Sequence, residues 1–303
     1  MLRQRTLQRE ISAAGIGLHS GKLIWINIKP SVVNSGVTFR RKDLLPVKDI
    51  RVSVAKVVST NLASTIDEDG VTISTVEHLM AALSGLGIDN VLIEVTGPEV
   101  PIMDGSASSF VYLLKSAGIN EQVESKKFVE ITKPITVTEG DKWAKLEPFF
   151  GFKLNFVIDF SHPAVNETGQ RVSIDFETTS FSEEIARART FGFLSDVVAL
   201  RGNGLALGGG LDNAIVLDDV KILNKGGLRQ SNEFVMHKAL DAIGDLHLLG
   251  NPILGSYSAF KSGHALNNAL INKVRNSQQL WQIRSFSSLS KAPLAWSKQW
   301  AWN

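Results

Sequence analysis

The sequence predicts an α+β protein in which two layered halves pack together. Both halves pass from strand-like to helical segments, and amphipathic helices are mixed with β-branched strands, which excludes all-α and all-β folds. Of the 303 residues, 44% are hydrophobic and 20% charged. That balance is typical of a globular chain and excludes a disordered one.

The elements follow in order. Lys22-Leu-Ile-Trp-Ile-Asn-Ile28 is rich in β-branched and aromatic residues after glycines 15, 17 and 21, and predicts a strand. Ser74-Thr-Val-Glu77 has capping-box spacing and opens a helix through Leu79, Ala82 and Leu83 that stops near Gly85 and Gly87. Asn90–Val95 is a short strand, and Asp104-Gly-Ser106 opens a helix through Phe110 and Leu114 that Gly118 closes. Polar residues Asn120–Lys127 suggest a linker. Strands then return at Phe128–Val137, Trp143–Leu146 and Phe152–Phe160, followed by a helix around Ser182–Ala188 and a glycine-rich stretch from Gly202 to Gly210. The main helix of this half runs from about Asn232 to Leu249, and another from about Ala265 to Val274. The domain boundaries expected are 1–125 and 126–280, with 281–303 a tail of uncertain structure.

Bulk properties remove several functions. Net charge is +2 without blocks of one sign, so nucleic acid is not an expected partner. With no cysteine, disulfides and thiolate ligands are excluded and any metal must be held by His, Asp and Glu. Met1-Leu-Arg-Gln-Arg-Thr leads into no apolar core, and no window reaches the length of a membrane span. A cytoplasmic monomer is expected. Trp296, Trp300 and Trp302, near Lys291 and Lys298, suggest packing against the body, or at most a transient membrane-surface contact.

The chemistry concentrates in His237-Lys-Ala-Leu-Asp241 and Asp245. On a helix, residues four apart lie about one turn apart on one face, so one ion could be shared by His237 and Asp241. Glu77-His78 offers a second imidazole with an adjacent carboxylate. Two imidazoles and one carboxylate with a position left open describe a catalytic zinc site, and so a zinc-dependent hydrolase. The plainer alternatives are an exposed i,i+4 pair, a capping role for Glu77 and a half-buried His78. Lys261-Ser-Gly-His264 is either a local cap or a charged imidazole that Asp245 could orient and raise in pKa. Gly202–Gly210 lacks the Lys-Ser/Thr ending of a phosphate loop and suggests close backbone approach around an apolar ligand lined by Leu205 and Leu207. His19, His162 and His247 are read as structural.

Five segments, in order, carry a family resemblance: Ser74-Thr-Val-Glu-His-Leu-Met-Ala-Ala-Leu-Ser-Gly-Leu-Gly-Ile-Asp-Asn90, Pro101-Ile-Met-Asp-Gly-Ser106, Ala188-Arg-Thr-Phe-Gly-Phe193, His237-Lys-Ala-Leu-Asp-Ala-Ile-Gly-Asp245 and Lys261-Ser-Gly-His-Ala-Leu-Asn-Asn268. The chain resembles UDP-3-O-acyl-N-acetylglucosamine deacetylase, the zinc amidase of lipid A biosynthesis in Gram-negative bacteria, to about residue 275. The resemblance implies two similar layered α/β-sandwich domains with the active site at their interface. It implies Zn2+ held by His78, His237 and Asp241, Glu77 as general base, His264 as a protonated partner held by Asp245, and Thr190 as oxyanion donor. Phe191, Lys238 and Lys261 would sit near the nucleotide and its diphosphate. An insert at about 193–215, including Leu205, Leu207 and Gly209, would form the acyl passage. Some relatives place a cysteine near the metal; this chain has none. The rival readings are a different zinc amidase or peptidase, and a nucleotide- or lipid-binding protein without catalysis.

Overall fold

The computed structural model describes residues 1–296, and the fold is α+β. The first half opens with β1 (Arg3–Leu7), β2 (Ile11–Ile16), β3 (Leu23–Pro30), β4 (Val37–Arg41) and β5 (Lys48–Arg51). A small meander follows, made of β6 (Val57–Ser59), β7 (Thr65–Glu68) and β8 (Val71–Ile73). Helix α1 (Glu77–Gly85), strand β9 (Val91–Val95), helix α2 (Ser108–Ala117) and strand β10 (Ile119–Ser125) complete this part. Its main sheet has the order β2-β3-β9-β4-β5, with β4 and β9 parallel. Along β3, Ile24, Ile26 and Ile28 are buried and the intervening residues are not, as a sheet covered on one face requires.

The second half begins with β11 (Phe128–Ile131), β12 (Ile135–Glu139), β13 (Lys142–Glu147) and β14 (Phe152–Val157). After a single turn, α3 (Pro163–Asn166), come β15 (Arg171–Asp175), β16 (Phe191–Phe193), α4 (Leu194–Gly202) and β17 (Ile215–Leu217). The chain continues through α5 (Glu233–His247), β18 (Ile253–Phe260), α6 (His264–Arg275) and β19 (Trp281–Arg284). Strand β18 is central to a seven-stranded sheet: it pairs antiparallel with β13 and parallel with β14 and β11. Helix α5 packs on β14 and β15, α6 on β12 and β13, and α5 also packs along α1, joining the two helical layers.

Three expectations need correction. Asn120–Lys127 is not a linker: residues to Ser125 form β10, paired antiparallel with β1, and Lys126 is buried against Asp89. A polar strand needs only a partner for its backbone, and β1 supplies it. The capping box at Ser74 does not form. Val76 occupies the N-cap without a side-chain bond, the Ser74 hydroxyl accepts from Thr65, and Glu77 accepts instead from the Ser64 N–H. The helix around Ser182–Ala188 is one π-type turn, Phe181–Ile185. In the segment whose structure the sequence left uncertain, residues 281–284 form β19 on the edge of the second sheet, antiparallel to β11. Trp296 packs edge-on against Phe128 with ring centroids 4.8 Å apart, whereas Trp300, Trp302 and Lys298 lie outside the described residues. None of the described helices is long and apolar enough to cross a membrane.

Candidate metal centre and active site

The site forms where α1 meets α5. Gly244 makes the meeting close: a Cβ there would lie 2.1 Å from the carbonyl oxygen of Glu77. A glycine in the middle of a helix costs about 1 kcal/mol relative to alanine, and here the absent side chain permits the approach. The contact brings the first turn of α1, with Glu77 and His78, against the face of α5 that carries His237 and Asp241.

His78 Nε2 and His237 Nε2 lie 3.5 and 3.4 Å from the same atom, Asp241 Oδ1. One ligand atom from each of the three residues lies within 4.8 Å of the others, and all three residues are buried. Burial pushes His237 down to about 4, beyond the opposing pull of Asp241, so at neutral pH its contact with Asp241 is not an ion pair. Burial opposes ionisation of Asp241 too, but His237, Lys238 and His78 overcome it and hold the carboxyl well below its usual range. Among the described residues, Asp241 Oδ1 has no hydrogen-bond partner. A buried carboxylate oxygen left in this way is costly unless a cation completes it. Two imidazole nitrogens and a carboxylate oxygen are the donor set of a zinc ion that keeps a position open, so the residues fit that metal. His237 Nδ1 faces the Ala188 carbonyl at 3.0 Å, an arrangement that directs Nε2 to the cluster. Lys238 Nζ bonds the other oxygen, Asp241 Oδ2, at 2.8 Å.

Glu77 and His264 stand beside the cluster, Oε1 to Nε2 3.9 Å. Burial pushes Glu77 above the ordinary carboxylate value, against the pull of His264 and His78. Burial alone would lower His264, but Asp245, 2.8 Å from its Nδ1, and then Glu77 and Asp241 raise it to about 9. His264 is therefore charged at neutral pH. Asp245 is fixed by further donors: Ser64 Oγ at 2.6 Å and Asn267 Nδ2 at 2.8 Å, with Tyr257 and Ser262 both donating to the Asn267 oxygen.

Thr190 borders this cluster from the loop after the π-type turn. Its N–H donates to Gly105 O at 2.7 Å, and its carbonyl accepts from Ile215. Gly105, with φ 79°, admits the Asn213 carbonyl within 2.0 Å of where a Cβ would stand. Arg189 anchors the same loop on fully buried Glu233 at the start of α5, Nε to Oε1 2.9 Å. Phe191 lies with its ring centroid 6.3 Å from that of His237 and packs on Phe160 and Phe234. Thr190, Phe191 and Phe160 share a cavity of about 320 Å³ with Glu77, His78, Lys238, Asp241 and His264.

A second, mostly apolar cavity of about 360 Å³ continues from it, sharing the walls Leu18, Leu62, Thr190, Phe191, Val197 and Leu200. The segment 193–215 supplies much of its lining through α4, which lies between the parallel strands β16 and β17. Of the three residues expected there, Gly209 borders this cavity; Leu205 and Leu207 do not, and Leu207 is half exposed. Lys261 also lies apart from both linings, bonded to Asp141 and Asp159 at 2.8 and 2.7 Å. His19, read as structural, borders the apolar cavity; His162 caps α3, and His247 is buried near the end of α5. Sequence reasoning missed Ser64 and Asn267, which hold Asp245, and Asp196, which borders the polar cavity. None has a local signal, because each acts through a partner remote in sequence or through its place on a cavity wall.

The family model of UDP-3-O-acyl N-acetylglycosamine deacetylase, LpxC, matches residues 4–276. That span holds both helical layers, the His-His-Asp cluster and both cavities, and on it the chain belongs to the LpxC family of deacetylases.

Proposed function

We propose that the chain hydrolyses the acetamide of UDP-3-O-acyl-N-acetylglucosamine to the free amine and acetate, in the cytoplasm, with one zinc held by His78, His237 and Asp241. The observation that carries this reading is the convergence of that cluster with Glu77 and charged His264 at the mouth of an apolar cavity. When bound, zinc supplies Lewis-acid polarisation of the carbonyl and brings the pKa of a water toward ~7.

Glu77 takes a proton from the attacking water, and its burial-raised pKa suits a group that must accept and return one. As the water oxygen bonds to the acetamide carbon, negative charge grows on the carbonyl oxygen. Thr190 Oγ1 donates to that oxygen and His264, held charged by Asp245, stabilises it; losing one such donor typically costs ~3 kcal/mol. The C–N bond then breaks as the amine receives a proton from Glu77 or His264. Phe191 and Lys238 border the polar cavity where sugar and diphosphate would lie, and Lys261 would turn from its two aspartates to reach them. The acyl chain would occupy the apolar cavity past Leu200 and Gly209.

The test is acetate release from this substrate by chelator-stripped protein before and after zinc is restored. Turnover that returns with about one zinc per chain supports the reading. Metal-independent turnover sinks it. In the same assay Glu77→Ala should lose most turnover yet retain zinc, and loss of zinc in that variant would make Glu77 a ligand.

A further inference from the structure

We propose that the outer face of β2 and β3 docks on a lipid bilayer, beside the wall of the apolar cavity. In the antiparallel register Ile16 lies opposite Leu23 and Ala14 opposite Trp25, so all four side chains project from the same face of the sheet. Ile24 and Ile26 point the other way into the core, and Leu23 and Trp25 are 59% and 57% exposed. Single exposed apolar residues are ordinary on a protein surface, but a contiguous group is not.

This group runs on into the cavity wall. A Cβ on Gly208 would lie 2.7 Å from Ile16 Cγ2, and one on Gly21 would lie 3.1 Å from Leu207 Cβ. Leu207 is half exposed and joins Ala206 to Gly208 and Gly209, while Leu18, two residues after Ile16, lines the cavity itself. Helix α4 buries no residue: Val197 and Leu200 line the cavity, and Val198 is 65% exposed.

The occupant follows from chemistry and continuity. Trp25 has the amphipathic ring that favours the boundary between headgroups and acyl chains, and exposed Lys22 and Arg201 flank the patch with positive charge, complementary to an anionic surface. The choice of a bilayer rather than a protein partner rests on the deacetylase reading, in which a single-chain amphiphile must pass between bilayer and apolar cavity without exposing its tail. A face continuous with that cavity shortens the wet part of the path.

The test uses full-length zinc-loaded protein and sucrose-loaded vesicles of phosphatidylcholine with phosphatidylglycerol, read by cosedimentation. Wild type should cosediment, and Leu23→Ser with Trp25→Ser should weaken binding at least tenfold while leaving the melting temperature nearly unchanged. Should that double variant fail to fold, Trp25→Thr keeps the comparison, because threonine is favoured in strands. No binding by wild type overturns the proposal. So does a double variant that binds as wild type, since another surface would then hold the vesicle. Sedimentation velocity provides the remaining arm: a wild-type dimer that the variant dissolves, without vesicle binding, would make a second copy the occupant and also overturn it. Vesicle binding needs no turnover, so failure here and failure of the deacetylase reading are separable.

Discussion

Gly244→Ala is the sharpest perturbation of the site because it adds one methyl group and removes no functional atom. The new carbon would stand 2.1, 2.8 and 3.1 Å from the carbonyl oxygen, carbonyl carbon and Cα of Glu77, all backbone. No side chain can swing aside, so α1 and α5 must part by about 1 Å to restore van der Waals contact. Overpacking of this kind costs roughly 1–3 kcal/mol. At roughly 2–4 °C per kcal/mol for chains of 150–250 residues, and slightly less for a longer one, the melting temperature should fall by several degrees. The displacement also divides the proposed ligand set, His78 moving with α1 while His237 and Asp241 stay on α5. Misplacement by about 1 Å can cost on the order of 100-fold in rate, so kcat/KM should fall about that far and zinc affinity with it. The assay is zinc titration and acetate release well below the melting temperature, with Gly226→Ala as control because no atom of the described residues lies within 4 Å of its added carbon. If Gly244→Ala binds zinc and turns over as wild type does, the helix contact does not set the metal geometry and the reasoning fails.

Three further outcomes are expected. His264 is raised to about 9, so its charge is complete below the ordinary histidine value and is lost as pH climbs through the raised one. Asp245→Asn should therefore move the basic limb of the pH–rate profile to lower pH, and an unmoved limb would assign it to another group. Thr190→Val should lower kcat by roughly 100-fold with KM and zinc content near wild type; a change confined to KM would make Thr190 a binding residue. Arg189→Leu strands the buried Glu233 carboxylate, although backbone N–H groups of residues 189 and 229 still reach it. Loss of one partner of a buried pair costs about 3 kcal/mol or more, which urea unfolding would register as a lower midpoint.

Helices α1, α5 and α6 were legible because each combines a long apolar period with a terminal signal. Strand β18 was not, though it is central to the larger sheet. Its residues, Ile-Leu-Gly-Ser-Tyr-Ser-Ala-Phe, include two serines and a glycine and carry little intrinsic strand signal. They are extended because β13, β14 and β11 offer backbone partners along their length, information that no local window contains. Polar β10 and helix α4, where Ser195, Asp196 and Arg201 interrupt the apolar residues, eluded the pattern for the same reason: neither has the alternation or single stripe that periodicity detects.

The site divides along the same line. His237 and Asp241 announce themselves by spacing within one helix, and Glu77-His78 by adjacency, so their grouping could be expected from sequence. Ser64 on Asp245 could not, since 181 residues separate the two partners of a single 2.6 Å hydrogen bond. Gly244 lies between these cases. A glycine among the apolar residues of a long helix sacrifices about 1 kcal/mol of helix propensity, and such a loss calls for a packing reason even when the partner is unknown. The sequence thus marks where the second helix must approach, one turn beyond Asp241 and beside Asp245, without saying which helix it is. The backbone of Glu77 in that contact shows why the marker matters: the residue that closes the packing is the one proposed to take the proton.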